Sequence, residues 1–94
     1  MNTELLDDLA EYIGVLSASL EKTKHTQDRS AYERHLAAAA SIFQSLRQSN
    51  FEQARQQVAS EKRIFGWSFL PGEEGKAAEA AFVRFEKMFA EKSG

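Results

Sequence analysis

The groups in this chain that could do chemistry are few: a serine among bulky apolar residues, two histidines, and two acidic pairs, one of them between glycines. Gly66-Trp67-Ser68-Phe69-Leu70 shares the first half of the Gly-x-Ser-x-Gly nucleophile elbow, in which a sharp strand-to-helix turn presents a hydroxyl. The second glycine and the preceding strand are missing, so Ser68 reads as a loop hydroxyl. A serine nucleophile also needs a base held by an acid, and only His25 and His35 are present. His35 stands one position off the apolar seam of its segment. His25 follows Lys22 and Lys24 at the end of another, where a cation complements the negative end of a helix. A carboxylate-bridged metal pair in a helical bundle uses two Glu-x-x-His motifs and two further inward glutamates, and the chain has no such motif. Asp7-Asp8 and Glu73-Glu74 fall at helix starts, a position that accounts for them electrostatically. Gly72-Glu73-Glu74-Gly75-Lys76 has the wrong spacing for a phosphate loop, and its carboxylates would repel a phosphate. The expectation is therefore a protein with no catalytic residues, no cofactor and no metal: not an enzyme.

Binding is the remaining class of function. Arg55, Lys62 and Arg63 lie close together in a glutamine-rich helical segment, and arginine and glutamine are side chains that read base edges. Glu52 and Glu61 share the segment, however, and the whole chain carries a formal net charge of -2, which gives no global attraction to nucleic acid or anionic lipid. Nucleic-acid contact through Arg55, Lys62 and Arg63 is the alternative expectation, not the first. There is no cysteine, which excludes disulfides and thiolate zinc sites. The first eight residues lack the basic and apolar regions of a signal peptide, and no stretch approaches membrane-spanning length. A soluble, cytoplasmic protein without a membrane partner is expected.

These residues must be held by helices. Apolar and polar residues do not alternate over any run, and 94 residues suit one domain with one core. Leu6, Leu9, Ile13, Leu16 and Leu20 step by three and four, a heptad seam, and predict a first helix over about 3–24. Ser30-Ala31-Tyr32-Glu33 has the form of a capping box and predicts a second helix over 30–48, with Tyr32, Leu36, Ala39, Phe43 and Leu46 inward. Ser49 or Asn50 caps a third, over 50–65, with Glu52 or Gln53 reciprocating; its inward stripe is Phe51, Ala54, Val58, Ile64 and Phe65, and Gly66 closes it. A fourth covers 73–91, with Ala78, Phe82, Phe85 and Phe89 inward. Leu46 to Ala54 resembles the turn of a tetratricopeptide hairpin, where an aromatic and a small residue open the second helix; the resemblance covers that turn alone and implies that the second and third helices form a tight hairpin. The small residues Ala10, Gly14 and Ser17, with Ala37, Ala40 and Ser41, predict a close approach of the first two helices. The fold class is all-α, an up-down-up-down antiparallel four-helix bundle, with a less regular helical array as the alternative.

The connection between the third and fourth helices is unusual for a loop. Ile64, Phe65, Trp67, Phe69 and Leu70 place five large apolar side chains where connections are normally polar. They either plug the end of the bundle or form a partner-binding patch with Trp67 at its centre. The functional expectation is a small non-catalytic protein that works by association with another protein or with a second copy of itself, as a homodimer, adaptor or inhibitor.

Overall fold

The computed structural model describes residues 3–67, 70 and 72–93. Four helices account for nearly all of them: α1 (Thr3–Lys22), α2 (Thr26–Arg47), α3 (Phe51–Trp67) and α4 (Gly72–Ser93). They form an antiparallel bundle with no strand among the described residues. Lys92 reaches Glu4 (3.4 Å) and Arg84 reaches Glu11 (2.9 Å), which fixes α4 antiparallel to α1. Ser45 donates to Gln57 (2.8 Å) across the α2/α3 hairpin. Helix α1 packs against both α2 and α4, and α2 against α3, whereas α3 and α4 touch only slightly. The ring of helices is thus closed on three sides and loose on the fourth.

Local chemistry explains the boundaries. Arg29 donates from Nη1 to the carbonyls of Leu20 (3.0 Å) and Thr23 (3.1 Å), satisfying acceptors that the end of α1 leaves open. This draws the start of α2 close to the end of α1, and α2 begins at Thr26 with His25 as its extended N-cap residue. The predicted start at Ser30 is therefore corrected by one turn, and Ser30 to Glu33 lie inside the helix. Between α2 and α3, Asn50 N donates to Ser45 O (2.8 Å) and Ser49 N to Leu46 O (3.0 Å). These are the paired bonds of a Schellman motif, with Ser49 at a φ of 58° where glycine is usual. Asn50 then caps α3 as expected: its Oδ1 accepts from Gln53 N (3.2 Å) and its Nδ2 donates to Gln53 Oε1 (3.0 Å). Helix α3 continues past Gly66, the residue expected to close it, to Trp67. Gly75, in the first turn of α4, is needed for space, since a Cβ there would lie 2.2 Å from the Leu70 carbonyl oxygen.

The core is built from Leu5, Leu9, Tyr12 and Leu16 of α1, Tyr32, Ala39, Ile42 and Leu46 of α2, Ala54, Val58 and Phe65 of α3, and Ala78, Phe82, Phe85 and Phe89 of α4. The α4 stripe is as predicted. On α1 and α2 the buried stripe is rotated from the predicted seam: Leu6, Ile13, Leu20, Leu36 and Phe43 sit half-buried at its flank. Tyr12 and His35 take the central positions instead. The small residues Ala10, Gly14, Ser17, Ala37, Ala40 and Ser41 are all exposed, and a Cβ at Gly14 would meet nothing within 4 Å. The predicted close approach along them is corrected accordingly; the bundle turns that face to solvent because its larger apolar side chains claim the opposite one.

Candidate functional site

Three polar side chains meet in the middle of the core. Tyr12 Oη of α1 donates to Glu61 Oε2 of α3 at 2.6 Å, and His35 Nδ1 of α2 lies 2.8 Å from the same oxygen. Because the carboxylate accepts, Nδ1 carries the hydrogen in this pair. Tyr12 is 0%, His35 3% and Glu61 1% exposed. Each occupies an inward slot of its helix: Tyr12 between Leu9 and Leu16, His35 between Tyr32 and Ala39, Glu61 between Val58 and Phe65. Aromatic rings pack around them. Phe65 lies 4.5 Å from the His35 ring and 5.2 Å from Phe82, and Phe82 lies 5.3 Å from Tyr12.

Burial, reinforced by the Glu61 carboxylate beside it, pushes the Tyr12 phenol far above its ordinary value. The hydroxyl therefore stays protonated and serves as a donor only. The other carboxylate oxygen, Glu61 Oε1, is buried with no protein hydrogen-bond partner, which makes this glutamate costly to keep inside. A histidine, a glutamate and a tyrosine within hydrogen-bonding reach are the parts of an acid–base relay. Here they are buried among the rings of Phe65 and Phe82. As arranged, the cluster joins three helices. Together with the packing of Tyr12 near Phe65, it links α1 to α3, whose backbones do not approach one another. Holding α3 toward α1 and α2 leaves its other flank turned from the core beside α4.

That flank forms a groove of about 360 Å³ between α3 and α4, with Val58, Ala59, Phe89 and Ala90 as its apolar floor and Arg55, Lys62 and Glu86 on its rims. Lys62 Nζ bridges the groove to Glu86 Oε1 at 3.1 Å. Among the described residues the exposed large apolar side chains are Phe51 (38%) and Val83 (51%). Phe51 is two turns before Val58 on α3, and Val83 is two turns before Ala90 on α4, so both extend the same strip.

The sequence-predicted residues distribute unevenly over this geometry. Phe65 and Leu70 are buried, 8% exposed each. Phe65 in particular covers the polar cluster. Ile64 is half-buried, while Phe69 and the side chain of Trp67 lie outside the described residues. Arg55, Lys62 and Arg63 are exposed on α3. Arg55 Nη1 donates to Glu52 Oε2 at 2.9 Å, and Lys62 is held by Glu86.

Comparison with family models, curated proteins and solved structures gave no match. The sequence reading did not find Tyr12, His35 and Glu61 as a group, nor the α3/α4 groove. The first had a signal, since all three stand at three-and-four spacing between apolar residues. The second had none, because the looseness of one helix pair is a property of the packed bundle.

Proposed function

We propose that this is a cytoplasmic, non-catalytic helical protein that works by docking another protein surface on the α3/α4 groove. One observation carries the reading: the loosest helix pair of the bundle is also where an apolar floor lies open between charged rims, with Phe51 and Val83 extending it. Protein-binding surfaces combine an apolar centre with a charged rim in this way. In support, no helix among the described residues is long and apolar enough to cross a membrane, so the strip is not explained as part of a spanning segment. The nucleic-acid alternative at Arg55, Lys62 and Arg63 has weaker support. Two of the three cations already sit on carboxylates, which a phosphate would have to displace. The test is a photo-cross-linking residue placed at Ala59 on the groove or at Ala37 on the outer face of α2. Adducts from position 59 and none from position 37 are expected; equal yields from both would remove the groove from the account.

A further inference from the structure

The groove is asymmetric in charge, and this asymmetry selects its occupant. Its α3 wall carries Lys62 and Arg55, the latter paired with Glu52; its α4 wall presents Glu86, which Lys62 reaches across the groove, with Glu79 two turns earlier on the same flank. A uniformly basic helix laid into it would meet Arg55 and Lys62, and a uniformly acidic one would meet Glu86, so each would be opposed along one side. A surface with the same two walls, turned over, meets neither conflict. This chain has that surface. Resting on the docking reading above, we propose that the occupant is a second copy of the chain, related by a two-fold axis running along the groove.

The axis direction follows from the charges. With the axis along the groove, α3 of each protomer packs on α4 of the other, and the Lys62–Glu86 pair meets its own symmetry mate. The four charges then alternate around a ring, each lysine between two glutamates. With the axis across the groove, α3 would pack on α3 and Lys62 would approach Lys62, a like-charge contact that costs affinity. Ala59 and Ala90, exposed beside the floor, have little bulk and allow the facing helices to approach closely. The strip that would be covered includes Phe51 and Val83, the two exposed large apolar side chains.

Sedimentation velocity over a concentration series tests this directly. Wild type is expected to approach twice the 10.6 kDa chain mass as concentration rises, and less so at high salt. Lys62→Glu makes the ring wholly acidic and Glu86→Lys makes it wholly basic, so each variant alone is expected to dimerise at least about tenfold more weakly. An equimolar mixture of the two restores opposite charges across the axis and should form a heterodimer. The double variant Lys62→Glu/Glu86→Lys should recover the homodimer. Far-UV circular dichroism checks that all variants fold, and the mixture and the double variant keep the test valid if one single variant does not. A wild type that remains monomeric at about 0.5 mM, or a mixture with no heterodimer, overturns the proposal. The docking reading fails separately: a monomer whose position 59 cross-links a different protein loses only the second copy, whereas a monomer that cross-links nothing there loses both.

Discussion

Replacing Glu61 by leucine should expose how the buried cluster is balanced. The substitution removes the oxygen that accepts from both Tyr12 and His35, leaving two donors in a dry, aromatic environment. Each unsatisfied buried donor costs about 1–3 kcal/mol, and the added apolar surface offsets part of the sum, so Glu61→Leu should lose about 2–5 kcal/mol. Tyr12→Phe alone removes one bond to a carboxylate and should lose about 1.5–3 kcal/mol. In the Glu61→Leu background the same change removes an orphaned hydroxyl, so its effect should vanish or reverse sign. The triple variant Tyr12→Phe/His35→Leu/Glu61→Leu should return to within about 1 kcal/mol of wild type or exceed it, because an apolar core of similar volume replaces a costly buried carboxylate. Urea unfolding followed by far-UV circular dichroism measures all of these, with unchanged m-values confirming that the same transition is compared. If Tyr12→Phe costs as much without Glu61 as with it, the three side chains do not act as one unit and the reasoning fails.

Two further outcomes follow from the same structure. Burial and Glu61 hold the Tyr12 phenol protonated far above its ordinary value of 10.0; above that pH the unfolded chain releases the proton while the native state keeps it. The stability from this group is therefore complete below pH 10 and falls at up to about 1.4 kcal/mol per pH unit above it. Tyr12→Phe should flatten that alkaline limb in unfolding titrations, and a limb of unchanged steepness would contradict the assignment. Gly14 faces solvent in mid-helix with room for a Cβ, so Gly14→Ala should raise stability by about 0.5–1 kcal/mol; a loss in the thermal midpoint would mean that the position is packed after all.

Much of the fold could be read from residue order because three-and-four spacing and cap residues act locally. Asn50 and Gln53 and the α4 stripe of Ala78, Phe82, Phe85 and Phe89 were legible for this reason. The phase of α1 and α2 was not, since Leu6, Ile13, Leu36 and Phe43 offer a second three-and-four register that shares Leu9, Leu16, Tyr32 and Ala39 with the buried one and passes over Tyr12 and His35. Glu61 was passed over too, weighed only as a charge against nucleic-acid contact, although Ala54, Val58 and Phe65 frame it at heptad spacing. The start of α2 depended on Arg29 reaching back to carbonyls six and nine residues earlier, a contact that a local capping rule does not contain. The groove depended on how tightly each helix pair closes, which is settled only when four helices compete for one core.

The docking claim is tested most directly by placing the photo-cross-linker in turn at Ala59 and Ala90 on the α3/α4 groove and at Ala10 and Ala37 on the outer faces of α1 and α2. All four positions are exposed in the free chain, so simple accessibility favours none of them. Adducts from positions 59 and 90 alone, at twice the 10.6 kDa chain mass, are the predicted result. Adducts arising mainly from positions 10 and 37 would place association on the opposite side of the bundle and contradict the account.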